Sequence, residues 1–199
     1  MPYNRDMSIL KVARMGHPVL RTKAKPVPQS EIGSTAVQSL IDSMMATMLE
    51  YHGVGLAAPQ VHEGVRLFVA QLVTDHDDDE SEPENREAGQ VGGVADRKPE
   101  PKLIALINPE IAPVGRHTTE DWEGCLSIPD LRGLVPRYRD LRVRAFDRTG
   151  ARVEIEATGY MARVLQHEFD HLDGVLFLDR MKTFQSLSFI DEYARYHAG

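Results

Sequence analysis

Apolar residues recur at helical spacing in the first third of the chain. From Thr35 onward they occupy seven such positions: Val37, Leu40, Ile41, Met44, Met45, Met48 and Leu49. The pattern predicts a helix whose start is marked by a capping-box pair, Thr35 and Gln38, and whose stop signal is Gly53. We expect its Met-rich stripe to face the core.

Four other runs have the β-branched and alternating character of strands. They are VRLFVAQLV at 65–73, KLIALINP at 102–109, LRVRAFD at 141–147 and RVEIEA at 152–157. The last two are joined through the sequence RTG, which predicts a hairpin turn.

A second helix is predicted from about Thr158, a plausible N-cap, to about Leu172, with Gly174 just past its end. A short amphipathic segment near the C-terminus predicts a terminal helix through its apolar positions: Phe184, Leu187, Ile190, Tyr193 and Ala194. The predicted fold class is α+β, with antiparallel sheets wrapped around the helix at 158–172.

The composition adds an ordinary globular background and one unusual segment. A chain of 199 residues suits a single domain over 1–199, and 42% hydrophobic residues suit a substantial core. Residues 75–100 carry ten acidic and three basic residues, which accounts for the whole net charge of −7. Such a segment, rich also in Gly and Pro, predicts a solvated, mobile insert.

The same composition excludes several function classes. No apolar run approaches the ~20 residues that a membrane span needs, and no basic patch indicates nucleic-acid binding. The N-terminal residues lack the apolar core of a secretory signal and the acid-poor look of a transit peptide. We therefore expect a cytoplasmic bacterial protein, with organellar origin left open.

The stretch QHEFDH at 166–171 is the first candidate for a catalytic metal site. His167 and His171 lie one helical turn apart, so both can bind one metal ion. Glu168 is rotated by about 100° from His167 and suits a general acid/base better than a third ligand. A chance match on an exposed helix is the alternative. The apolar neighbours Tyr160, Met161, Val164 and Leu165 argue for a partly buried helix instead.

The third ligand is less directly indicated. Proteases with an extended motif need a further His where this chain has Phe177, and Glu192, which fits another protease class by spacing, lies in a polar stretch. Cys125, in EGCLS at 123–127, is the better candidate because a thiolate binds borderline metals. A set of two histidines and one cysteine also leaves a fourth coordination position open for water. As the single cysteine it could instead be a small buried hydrophobe. The other histidines show no ligand spacing: His17, His52, His62, His76, His117 and His197.

Three segments in this order resemble the signature motifs of the peptide deformylase family: GVGLAAPQ at 53–60, EGCLS at 123–127 and QHEFDH at 166–171. The similarity continues through HPVLRTKAKPV near the N-terminus and HLDGVLFLDRM at 171–181. It covers most of the chain except the acidic insert and the last dozen or so residues.

The resemblance implies a set of residue roles. Cys125, His167 and His171 hold the metal, Glu168 is the acid/base, and Gln60 and the backbone N–H of Leu126 stabilise the oxyanion. A Gln that simply caps a loop backbone is the alternative for Gln60. The backbone at 53–55 is the edge to which the substrate adds as a strand. The implied substrate-binding residues are Gly53, Val54, Gly55, Glu123, Gly124, Arg132, Tyr160 and Val164. Among them, Val54, Tyr160 and Val164 build the pocket for the first Met together with His167, and Arg132 lies near its mouth.

The implied reaction is hydrolysis of the N-formyl group on the first Met of nascent peptides, with release of formate. Fe²⁺ is the implied working metal, with Zn²⁺, Ni²⁺ or Co²⁺ also accommodated. The implied partners are N-formylmethionyl nascent peptides in transient proximity to the ribosome, without nucleic-acid or membrane binding. From Met181 onward, Lys182 and Arg195 are offset by Asp191 and Glu192, which predicts weak or no ribosome anchoring through this segment.

Two other readings stay open at this point. A zinc peptidase would use Glu168 with a different third ligand. A non-catalytic relative would bind N-termini only, but Glu168, Gln60 and the three candidate ligands argue against it.

Overall fold

The computed structural model describes residues 8–72 and 102–198. The acidic segment 75–100, predicted as a mobile insert, lies outside these residues. The helices are α1 (Thr35–Glu50), α2 (Gly159–Leu172), α3 (Phe177–Arg180) and α4 (Ile190–Tyr196). The strands are β1 (Gly55–Ala57), β2 (Leu67–Leu72), β3 (Lys102–Pro113), β4 (Thr118–Cys125), β5 (Ile128–Tyr138), β6 (Asp140–Phe146), β7 (Arg152–Thr158) and β8 (Ser188–Phe189). Short 3₁₀ turns cover Pro18–Arg21, Gln29–Glu31, Ala58–Val61 and Phe184–Ser186.

The strands form two antiparallel sheets. One has five strands in the order β1-β2-β3-β6-β7, and the other has three in the order β4-β5-β8. The four predicted strand runs are β2, β3, β6 and β7, and the predicted hairpin between β6 and β7 is present. In its turn, Oδ1 of Asp147 accepts hydrogen bonds from the backbone N–H groups of Thr149 and Ala151, which fixes the reversal.

Helix α2 is the centre of the fold, as predicted. It packs against strands of both sheets, including β1, β2, β5 and β7. Leu165 and Leu172 are fully buried, and they share a core cluster with Phe68, Leu106 and Val143 of the five-stranded sheet. The α+β prediction, with antiparallel sheets around the motif-bearing helix, is therefore confirmed. None of the helices in the described parts of the chain has the length and apolar character needed to cross a membrane.

Helix α1 starts differently from the prediction. Its N-cap is Ser34, whose Oγ accepts the backbone N–H of Val37, so the pairing of Thr35 with Gln38 as a capping box was wrong. The Gln38 side chain instead donates to the carbonyls of Ile32 and Arg148. The helix ends at Glu50, before Gly53. The Met stripe faces the core as predicted, since Met44 and Met48 are fully buried.

The prediction of one terminal helix from Phe184 onward was also wrong. A 3₁₀ turn at Phe184–Ser186 is followed by β8, and only Ile190–Tyr196 is helical. The cause is non-local: Ser188 and Phe189 pair with Arg132 and Leu131 on β5, so the segment completes the three-stranded sheet. Helical spacing in the sequence does not reveal an open strand edge elsewhere in the chain.

Candidate active site

Two elements bring the three candidate metal ligands together. Cys125 ends β4, and His167 and His171 lie one turn apart on α2. One donor atom from each residue lies within 4.8 Å of the other two, and Sγ of Cys125 is 3.3 Å from Nε2 of His171. Within residues 8–72 and 102–198 this is the only such cluster. Glu192, the ligand of the peptidase alternative, is exposed and pairs with Arg195.

The cluster fits a divalent ion by its chemistry. Cys125 and His171 are buried, and Nδ1 of His171 has no hydrogen-bond partner among the described residues. Burial alone would raise the pKa of the Cys125 thiol, but His171 and His167 hold that pKa well below its usual range. Thiolate and imidazole donors suit borderline metals, and three protein ligands leave one position for water.

A buried carboxylate orients the first histidine. Glu123, next to Gly124 on β4, accepts a hydrogen bond from Nδ1 of His167 at 2.9 Å. This contact leaves Nε2 as the ring nitrogen that can face an ion. The resemblance placed Glu123 among the substrate-binding residues. The structure places it at the cleft wall, with both carboxylate oxygens engaged by protein donors.

Two buried arginines hold that carboxylate. Arg137 donates to both oxygens of Glu123 at 2.9 Å, and Arg163 donates to Oε1 at 2.8 Å. Arg137 also pairs with Asp170 at 2.5 Å, which ties the hairpin β4–β5 to α2. Burial alone would raise the pKa of Glu123, but the hydrogen bonds from Arg137 and His167 hold it far below its usual range. Sequence reasoning missed Arg137, Arg163 and Asp170. The available signal was helical spacing: Arg163 lies four residues before His167, and Asp170 lies three residues after it.

Glu168 is buried beside the three candidate metal ligands. Its side chain is buried, and Oε2 has no hydrogen-bond partner in the described part of the chain. Burial raises the pKa of this carboxyl to about 7, although His167 and His171 act in the opposite direction. A carboxyl with this pKa can both accept and donate a proton near neutral pH.

Gln60 uses both ends of its amide. Oε1 accepts the backbone N–H of Ala57 at 2.8 Å, while Nε2 lies 3.5 Å from Sγ of Cys125 and 3.3 Å from Oγ of Ser127. The loop-capping hydrogen bond to Ala57 is therefore present, and it directs the Nε2 donor of Gln60 toward Cys125 and the other candidate metal ligands. Ser127, which sequence reasoning did not single out, helps to hold that end.

A cleft of about 920 Å³ opens above these residues. Leu126, in the turn between β4 and β5, lines it, and so do all the residues that the resemblance assigned to substrate binding: Gly53, Val54, Gly55, Glu123, Gly124, Arg132, Tyr160 and Val164. A Cβ on Gly124 would lie 1.8 Å from Nη1 of Arg132, so only glycine lets Arg132 pack against this backbone. Val164 is buried, whereas Tyr160 is half exposed at the mouth.

Comparison with known proteins gives one consistent result. The polypeptide deformylase family model matches residues 9–186. Peptide deformylase 2 of Nostoc sp. is 40% identical over 175 residues, which are 88% of this chain and 87% of that protein. The peptide deformylase of Salinibacter ruber is 44% identical over 177 residues, with 89% and 83% covered.

Solved structures agree in fold. The Met-Ala-Ser-bound crystal structure of class I type b peptide deformylase from Acinetobacter baumannii has a TM-score of 0.70 and 36% identity, covering 87% of this chain and 99% of that one. The structure from Thermotoga maritima has a TM-score of 0.70 and 35% identity, with 88% and 99% covered. The resemblance seen in three short motifs thus extends over the matched 178-residue range 9–186, and the chain belongs to the peptide deformylase family, the hydrolases that remove the N-formyl group from nascent polypeptides.

Proposed function

We propose that this chain releases formate from N-formylmethionyl peptides with one divalent ion held by Cys125, His167 and His171. The observation that carries the proposal is the clustering of these three donor atoms within 4.8 Å, beside Glu168 and Gln60, at the base of a peptide-sized cleft. When bound, such an ion polarises the formyl carbonyl and lowers the pKa of a water toward ~7. We expect Fe²⁺ as the working metal, with Zn²⁺, Ni²⁺ or Co²⁺ accommodated by the same donors.

Glu168 handles the proton. Its buried carboxyl, with a pKa near 7, accepts a proton from the attacking water and then donates it to the nitrogen of the leaving amine. Because the carboxyl group is buried, it does not exchange this proton with bulk water during the transfer. The same carboxyl therefore serves as base in the first half of the reaction and as acid in the second.

Gln60 and Leu126 stabilise the oxygen that gains charge. Nε2 of Gln60 is held near Cys125 by the bond from its own Oε1 to Ala57, so the donor is positioned before substrate arrives. The backbone N–H of Leu126, in the residue after Cys125, is the second donor. Loss of one such donor typically costs about 10²–10³ in kcat.

The edge of the five-stranded sheet receives the peptide. β1 is the terminal strand of that sheet, and Val54, just before it, accepts the backbone N–H of Gln71 on its inner side. The outer edge at 53–55 faces the cleft, where an extended peptide can add as another strand. Val54, Val164 and Tyr160 then surround the first Met side chain. Met-Ala-Ser, bound by the Acinetobacter baumannii relative, is what remains of formyl-Met-Ala-Ser after formate release.

Formate release from formyl-Met-Ala-Ser, measured together with metal content, tests the proposal. An anaerobic ferrous preparation should release one formate for each new free amine. A preparation with one ion per chain that releases none would contradict the proposal.

We propose that the catalytic unit is a single domain over 1–199 and that it works in the bacterial cytoplasm. Nascent peptides imply transient ribosome proximity. The balanced charges of Lys182, Arg195, Asp191 and Glu192 support weak anchoring at most through the C-terminal segment. Salt-resistant cosedimentation with ribosomes that is lost on truncation at 181 would contradict this.

A further inference from the structure

The C-terminal segment forms part of the cleft. β8 is paired with β5, with Ser188 opposite Arg132 and Phe189 opposite Leu131. Ile190 follows directly and lines the same cleft as Cys125 and Glu168. The last strand, β8, is therefore joined to the site through Arg132, whose guanidinium packs over Gly124 beside the candidate ligand Cys125.

An aromatic cluster holds this segment in place. The ring of Trp122 on β4 lies 4.9 Å from that of Tyr193 and 5.0 Å from that of His197, measured between ring centroids. Trp122 also lines the cleft. Packing of aromatic rings at these distances is stabilising, so α4 is fixed on the hairpin β4–β5. Ile190 then occupies a defined position in the wall.

The cleft is larger than one methionine needs. Its volume of about 920 Å³ is near the top of the ~300–1,000 Å³ range of sites that bury a drug-sized ligand. Ile190 leaves 37% of its surface exposed in this wall. An exposed aliphatic side chain in a concave site is stabilised by an apolar partner that removes it from water.

We propose that Ile190, together with Trp122, binds one side chain of the nascent peptide beyond the first Met and selects an apolar residue there. The inference rests on the proposed deformylase function and adds a substrate preference to it. In an extended peptide, successive side chains point to opposite faces. The preference should therefore hold at the second or at the third residue, but not at both.

Kinetics with a peptide panel test the proposal on the metal-loaded enzyme. The substrates are formyl-Met-Ala-Ser, formyl-Met-Leu-Ser and formyl-Met-Ala-Leu, and the readout is the ratio of kcat/KM between each Leu peptide and formyl-Met-Ala-Ser. One Leu peptide should be preferred. Ile190→Ala should lower that ratio about five- to tenfold, mainly through KM, because a shortened apolar side chain loses ground-state and transition-state contact alike.

Two further variants separate specificity from folding. Phe189→Ala removes the adjacent side chain, which is two-thirds exposed and does not line the cleft, and should leave the ratio unchanged. With a Lys peptide added to the panel, Ile190→Asp should favour Lys over Leu at the preferred position, a reversal that a loss of folding does not produce. A wild-type enzyme without preference, or an Ile190→Ala ratio equal to wild type, would overturn the inference while formate release still upholds the function. Absence of formate from all three peptides would instead refute the proposed function.

Discussion

The backbone of Gly55 lies against the carboxylate of Glu168. A Cβ built on Gly55 would lie 2.4 Å from Oε1 and 2.7 Å from Cδ of Glu168, closer than real Cβ atoms come. The strand edge at Gly55, which would receive the substrate, is therefore in contact with the Glu168 carboxylate, which would transfer the proton. Only glycine at position 55 lets this strand edge and the Glu168 carboxylate keep their present positions.

Replacing Gly55 by Ala should therefore impair catalysis rather than binding of metal. The added methyl group displaces the Glu168 carboxylate, and a misplacement of about 1 Å can cost roughly 10²-fold in rate. Measurement of kcat with formyl-Met-Ala-Ser and of metal content checks this. Gly64→Ala is the matched control, because a Cβ there meets nothing within 4 Å. Equal kcat for Gly55→Ala and the control would contradict the contact.

Glu123→Gln should weaken metal binding. The substitution keeps the shape of the side chain but removes the charge that Arg137, Arg163 and His167 share. Loss of a partner that orients a ligating histidine typically reduces metal affinity about 10–100-fold. Competition with a chelator gives the affinity. Glu154→Gln, which removes an exposed carboxylate paired with Arg144, should leave it unchanged. A Glu123→Gln affinity equal to that of the control would show that the carboxylate does not orient His167.

The three residues of the candidate metal site, which the structure brings together, could be named from the sequence, but the residues that support them could not. His167 and His171 are a local pattern on one helix, and Cys125 belongs to a short motif. The pairing of Arg137 with Asp170, by contrast, joins a strand to a helix 33 residues later. Charged residues in a sequence indicate solvent exposure, and only the folded chain shows that these two are buried against each other.

The strands also differ in whether the sequence predicts them. Runs such as β2, which is apolar except for Gln71, can be recognised locally. β4 and β5 escaped prediction because β4 carries Thr119, Glu120 and Asp121, and β5 contains Pro129 and Pro136. Their pairing depends on the long hairpin itself and on Arg163, which donates to the carbonyls of Thr119 and Val135.

Cys125→Ser should remove most of the metal and the activity together. A serine hydroxyl does not ionise near neutral pH, whereas the neighbouring histidines hold the pKa of the Cys125 thiol low. Elemental analysis and formate release check this. Full metal content in Cys125→Ser would exclude the thiolate as a ligand.

Stripping the metal from the wild-type chain should lower its stability. An ion that binds only the folded state adds about 4 kcal/mol when its concentration is 1,000 times Kd. For a chain of this size, each kcal/mol shifts Tm by roughly 2–4 °C. Thermal unfolding with and without chelator measures the difference, and Cys125→Ser should show no such shift. A Tm that is insensitive to chelator in the wild type would contradict metal binding at this cluster.

The two ends of the Gln60 amide can be tested separately. Gln60→Ala removes both the acceptor for Ala57 and the donor near Cys125, whereas Gln60→Glu keeps an acceptor and loses the N–H donor. Both should lower kcat, by about 10²–10³ for loss of one oxyanion donor. Only Gln60→Ala should leave the buried N–H of Ala57 without its partner, which costs about 1–3 kcal/mol of unfolding free energy. Chemical denaturation and kinetics on both variants give the two values. If Gln60→Glu retained wild-type kcat, the side chain would act only as a cap for the loop, and the oxyanion would depend on Leu126 and the metal.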